Sequence, residues 1–162
     1  MDTARRGRAA PDLEPALAAV LESAQRVASY VAFGAEPYVT PRPGWLLPVL
    51  LCDNDLDWAV YDGTLAPGLL GLREPTGPRL GVHALAGCDL VLVPALLVDR
   101  AGTRLGRGGG CYDRALARAT GVTVALLHDG ELVDALPREL HDVPVAAVAT
   151  PSTGLVHLTG KM

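Results

Sequence analysis

The stretch Asp89-Leu90-Val91-Leu92-Val93-Pro94 decides the fold. It is short, rich in branched side chains and apolar at successive positions, so it has no wet face. Such a run reads as a strand buried on both sides, in the middle of a parallel sheet. Val98 to Gly110 follows as a loop with five glycines and three arginines. Tyr112 to Thr120 can then form a helix, and Val122 to Leu127 reads as a further buried strand. Strand, loop, helix and strand in this order predict an α/β fold with a mostly parallel sheet.

Working outward, Leu13, Leu17, Val20 and Leu21 fall at helical spacing, with Pro15 in the first turn. Residues 1–12 read as a basic, frayed tail, so 1–25 are tail plus helix. Arg26 to Ala32, Trp45 to Leu51 and Leu56 to Tyr61 read as strands. Gly34 to Gly44 and Gly63 to Gly81 are rich in glycine and proline and read as loops. Leu132 to Leu136 is a short segment, Val143 to Val148 a last strand, and 151–162 a C-terminal tail.

Composition narrows the function classes. The 162 residues suit one domain, and 49% hydrophobic with 20% charged residues is a globular balance. A net charge of −4 argues against a nucleic-acid-wrapping protein. Cys52, Cys88 and Cys111 form no C-x-x-C and no disulfide framework. The longest apolar run, Leu90 to Val98, is far below the roughly 20 residues that span a bilayer. A soluble cytoplasmic protein without membrane or nucleic-acid partners is expected.

The chemistry concentrates in Arg104-Leu105-Gly106-Arg107-Gly108-Gly109-Gly110-Cys111-Tyr112-Asp113-Arg114. Glycines let a backbone turn its N–H groups onto a ligand. The following helix start favours anions, and Arg104 and Arg107 can make bidentate contacts to phosphate or carboxylate. The run is neither G-x-x-x-x-G-K-[ST] nor G-x-G-x-x-G, so a standard P-loop or dinucleotide site is not supported. A solvated glycine turn is the competing reading. Asp113 either stabilises the helix end or holds magnesium bridging phosphates.

Cys111, beside a helix start and arginines, could carry a lowered pKa and act as a nucleophile. His83, His128, His141 and His157 lack metal-ligand spacing, and His141-Asp142 reads as an ordinary loop pair. No G-x-S-x-G occurs.

The run Asp89 to Arg114 resembles the signature of the 5-formyltetrahydrofolate cyclo-ligase family, also called 5,10-methenyltetrahydrofolate synthetases. Gly71-Leu72-Arg73-Glu74-Pro75 is similar to the family's G-[IL]-x-E-P. Val27 to Pro37 resembles its first strand and the glutamate after it, and Leu136-Pro137 through His141-Asp142-Val143 its terminal L-P-x-x-x-H-D segment. The resemblance covers most of residues 26–150. It implies a single-domain, three-layer, Rossmann-like fold and an ATP- and magnesium-dependent ligase. Such a ligase closes 5-formyltetrahydrofolate to 5,10-methenyltetrahydrofolate with release of ADP and phosphate. The implied partners are ATP and a reduced folate, and a monomer is expected.

By the same resemblance Arg104, Leu105, Gly106, Arg107, Gly108, Gly109, Gly110, Cys111 and Tyr112 contact ATP. Val31, Glu36 and Arg107 to Cys111 contact the folate, with Glu36 at its pterin end. Arg107 and Tyr112 are the catalytic candidates, and Asp113 and Asp142 the magnesium ligands. The chain departs from the family pattern at three places. Arg5, Arg6 and Arg8 do not match the setting of the family's basic N-terminal helix. No helix separates Glu36 from Trp45, which predicts an open sheet face or badly linked strands. Cys111 stands where the family has an aromatic ring. The alternative reading is a non-catalytic or weakly active nucleotide- or folate-binding relative that has lost a helix and part of the site.

Overall fold

The computed structural model describes residues 2–158. A 3-10 turn over Asp2–Arg5 leads to helix α1 (Glu14–Ser23), then to strands β1 (Val27–Ala28), β2 (Leu46–Leu50), β3 (Leu56–Val60), β4 (Leu65–Pro67) and β5 (Arg73–Pro75). Strands β6 (Leu90–Pro94), β7 (Leu97–Asp99) and β8 (Arg104–Leu105) lead into helix α2 (Cys111–Leu116). Strands β9 (Val122–Leu126), β10 (Leu132–Val133), β11 (Ala147–Thr150) and β12 (Gly154–His157) complete the chain.

Seven strands form the main sheet in the order β12-β11-β9-β6-β1-β2-β3. The four inner pairings are parallel and the two edge pairings antiparallel. β6, the strand read from Asp89 to Pro94, lies at the centre. Leu90 to Val93, Val124 to Leu126 and Ala147 to Ala149 are buried at consecutive positions, hence on both faces. The sheet is therefore the middle of three layers. Its covering layers hold only two α-helices among the described residues, and loops supply the rest.

α1 forms where its spacing predicts. Asp12 Oδ1 accepts the Glu14 N–H at 3.0 Å, and Leu17 and Leu21 stack one turn apart in the core. Full burial of each such leucine stabilises by about 1.5–3 kcal/mol.

The missing helix leaves neither an open face nor slack strands. β1 and β2 are adjacent and parallel, joined by residues 29–45. That crossover is pinned along its length: Tyr38 exchanges backbone hydrogen bonds with Pro11 and Leu13 at 3.0 and 2.8 Å. Tyr30 Oη donates to the Pro37 carbonyl, and Val39 and Trp45 are buried. Backbone pairing and apolar side chains do the work of a helix.

Other local expectations are corrected. The 1–12 segment is not wholly frayed, because Arg5 is buried and donates to Glu131 at 2.7 and 2.9 Å and to the Ala95 carbonyl at 2.7 Å. The glycine-rich loops at 63–81 and 98–110 contain the β4–β5 and β7–β8 hairpins. Of the expected C-terminal tail, residues 154–157 are the edge strand β12; residues 159–162 lie outside the described residues. The helix expected over 112–120 is shorter, Cys111–Leu116. Among the described residues no helix is long and apolar enough to cross a membrane.

Candidate functional site

β1 and β6 are parallel neighbours, so the segments that follow them leave the same end of the sheet. One carries Val31 and Glu36; the other runs from Pro94 to the glycine loop. Their convergence at strand carboxyl ends is the usual ligand position of open α/β sheets. A cleft of about 1170 Å³ lies there. Its wall includes Val31, Glu36, every residue from Thr103 to Asp113, and Asp142. All the site residues named from the sequence thus border one space.

Within the loop, Gly108 (φ +96°) and Gly110 (φ +79°) occupy the left-handed region, which only glycine enters without strain. The arginines divide the work. Arg104 is almost wholly buried, donates from Nη1 to the Pro94 carbonyl at 2.9 Å, and packs 5.6 Å from the Tyr112 ring centre. Its Nη2 stands 4.0 Å from Asp113 Oδ1. Burial lowers its pKa while Asp113 opposes the shift. Arg107 is more open. It lies 3.6 Å from Glu36 Oε2 and 5.2 Å over the Phe33 ring. Arg5 does not contact this loop, because its guanidinium is committed to Glu131 and Ala95.

Glu36 is buried and accepts the Phe33 N–H at 3.1 Å. Burial raises its carboxyl above the ordinary value, with Phe33, Arg107 and Arg5 pulling the other way. Tyr112 is buried, and burial pushes its phenol far up, so it stays a neutral donor. Its Oη and the Arg104 Nε are buried with no hydrogen-bond partner among the described residues. Burial also raises the Cys111 thiol, against the lowered pKa expected beside a helix start and arginines, because desolvation outweighs the nearby Arg104.

The helix start expected to favour anions belongs to a short helix, since α2 spans only six residues, so an anion held here would rest mainly on the glycine backbone and the arginines.

Asp113 and Asp142 converge, and His141 joins them: one ligand atom from each lies within 4.8 Å of the others. Asp142 Oδ2 accepts the Glu139 N–H at 2.9 Å. Two carboxylates on the cleft wall are a hard-oxygen donor set that fits magnesium; the imidazole adds a nitrogen donor. His141 was dismissed on spacing, since its partner Asp113 is distant in sequence. In the sequence His141-Asp142 reads only as a loop pair; the structure places it in this cluster.

The comparisons with known proteins decide the family. The model of the 5-formyltetrahydrofolate cyclo-ligase family matches residues 2–151. The chain belongs to the 5-formyltetrahydrofolate cyclo-ligase family. That membership places it among the ligases. The cyclo-ligase of Mycolicibacterium smegmatis is 42% identical over 152 residues, covering 84% of this chain and 78% of that one. The cyclo-ligase of Escherichia coli K12 is 40% identical over 86 residues, 51% of this chain and 47% of its own. Among solved structures, the Aquifex aeolicus 5,10-methenyltetrahydrofolate synthetase superposes with a TM-score of 0.72 at 26% identity, covering 90% of this chain and 81% of that one. The Mycoplasma pneumoniae synthetase, at 17% identity and a TM-score of 0.63 over 84% and 80% of the two chains, shares the fold. Two solved synthetases thus share the fold of this chain.

Proposed function

We propose that this cleft converts 5-formyltetrahydrofolate and ATP to 5,10-methenyltetrahydrofolate, ADP and phosphate. The observation that carries the reading is the convergence of Glu36, the glycine-arginine loop and the Asp113–Asp142 pair on one space. In the first step the formyl oxygen bonds to the terminal phosphorus of ATP, and the bond from that phosphorus to ADP breaks. In the second, the folate's other nitrogen attacks the formyl carbon and loses its proton as phosphate departs. Both steps need charge neutralised and atoms held in line, more than proton transfer from the protein.

Each residue has a place in that scheme. The backbone from Gly106 to Gly110 and the Arg104 guanidinium hold phosphate oxygens. Arg107 reaches toward Glu36 and so sits between the nucleotide and folate ends. Glu36 accepts N–H groups of the pterin, and Val31 packs against that ring. Asp113 and Asp142, with His141, would hold magnesium, which when bound neutralises phosphate charge.

The test is methenyl-folate formation followed by ultraviolet absorbance, with and without ATP and with and without magnesium. Product only when both are present supports the reading. Binding of ATP or folate without product supports instead a non-catalytic relative.

A further inference from the structure

The turn between β2 and β3 is Asp53-Asn54-Asp55, and nothing in the proposed chemistry uses it. β2 runs parallel to β1, so this turn lies at the same end of the sheet as the cleft. Three contacts tie it to the glycine loop, to α2 and to the turn that follows α2. Arg118 makes two parallel bonds to the Asp55 carboxylate, each 2.7 Å. Arg114 Nη1 donates to the Asp53 carbonyl at 2.7 Å. Asn54 donates from Nδ2 to the Gly109 carbonyl, inside the glycine run.

The first two contacts anchor α2 and the turn that follows it; the third reaches the cradle itself. Asn54 half-buries its side chain on the cleft wall and adopts φ +67°, a conformation that asparagine tolerates better than most residues. A Cβ built on Gly109 would come within 3.2 Å of Asn54 Nδ2, so the amide and this glycine are closely fitted. A trans peptide is planar, with C=O and the next N–H pointing in opposite directions. Holding the Gly109 carbonyl therefore sets the direction of the Gly110 N–H. Glycine residues have no side chain to restrict that plane, so an external contact is needed to fix it.

We propose that Asn54 is a positioning residue for the nucleotide cradle, orienting the Gly109–Gly110 peptide before ATP arrives. This rests on the reading of the glycine loop as an ATP site. Asn54→Gly keeps the turn's backbone conformation accessible and removes the donor. Asn54→Asp keeps the side chain's size and places an acceptor against the carbonyl. Both are expected to raise the ATP KM by about tenfold or more, the scale of one lost oriented hydrogen bond. The folate KM and the melting temperature are expected to stay near wild type. A wild-type ATP KM in Asn54→Gly overturns the proposal. So does a parallel rise in both KM values with a lowered melting temperature, which would mark a merely structural role.

Calorimetric titration with magnesium-ATP, using Arg107→Ala as reference, separates the two levels of inference. Affinity lost in Arg107→Ala and weakened in Asn54→Gly supports the proposal. Affinity lost in Arg107→Ala and retained in Asn54→Gly overturns the proposal and leaves the ATP reading standing. No affinity in the wild type overturns that reading and the proposal with it.

Discussion

The Arg107 guanidinium stands 3.6 Å from the Glu36 carboxylate, joining the glycine loop after β8 to the segment after β1. A residue assigned to phosphate and a residue assigned to the pterin are thus in contact with each other. Arg107 holds the Glu36 carboxyl lower than burial alone would set it. Removing Arg107 would therefore let the Glu36 carboxyl rise further.

Glu36→Gln should therefore separate binding from stability. The Glu36 carboxyl is raised in the folded protein, chiefly by burial. A raised carboxyl binds its proton more readily folded than unfolded, so its contribution to stability falls as pH rises from the unfolded value through the folded one. Glutamine removes that penalty and also the anionic acceptor. The expected result is a folate KM raised about 10- to 100-fold, as for loss of charge-assisted hydrogen bonds. The melting temperature at neutral pH should be equal or higher. Thermal melts at pH 4 and 7 beside folate kinetics check both.

Arg107→Ala is expected to lower turnover about 100-fold or more, on the scale of losing an oriented charged donor. Arg118, just beyond α2, does not serve as a control, because it is paired with Asp55. Arg100, mostly exposed and paired with exposed Asp134, is the better comparison. Equal losses from Arg107→Ala and Arg100→Ala would remove the loop from the active site.

Asp113→Asn and Asp142→Asn should each abolish magnesium-dependent ATP use with the fold intact, by far-ultraviolet circular dichroism. His141→Ala should raise the magnesium requirement while leaving turnover at saturating magnesium. Unchanged turnover of Asp113→Asn at all magnesium concentrations would remove the metal assignment.

Cys111 lines the cleft, and burial raises its thiol. Cys111→Ser should match wild type. Cys111→Tyr should lower the folate KM up to about tenfold, since an aromatic contact adds about 0.5–1.5 kcal/mol beyond burial. ATP affinity should not change. Inactivity of Cys111→Ser would restore the nucleophile reading, and a raised folate KM in Cys111→Tyr would mean a pocket rebuilt around a small residue.

The Asp55–Arg118 pair makes an acid-stability prediction. Arg118 is the main cause holding the Asp55 carboxyl down, from 3.8 to about 2. A depressed carboxyl contributes stability above its unfolded value and loses it as pH falls through the folded one. Asp55→Asn should therefore narrow the stability difference between pH 5 and pH 2 relative to wild type. Urea melts across that range would show it; identical pH profiles would contradict it.

Asp89 to Pro94 and the glycine-arginine run were legible in the sequence because each carries its signal locally. A doubly buried strand must be apolar at consecutive positions, and a backbone cradle must spend glycines. Glu36 was nameable only through resemblance, since a glutamate before proline has no local signature of burial.

What the sequence determined alone was the central strand, the leading helix and the glycine-arginine run that lines the cleft. Tertiary structure decided the rest. It paired residues 65–75 and 97–105 into hairpins whose strands are too short to leave a periodic pattern. It replaced a missing helix with a pinned crossover, and turned Arg5 inward to Glu131. It brought His141 to Asp113 and Asn54 to Gly109 across 28 and 55 positions of chain. Such contacts depend on which strand ends lie side by side, and sheet order is set by packing across the whole core, which no local window of sequence contains.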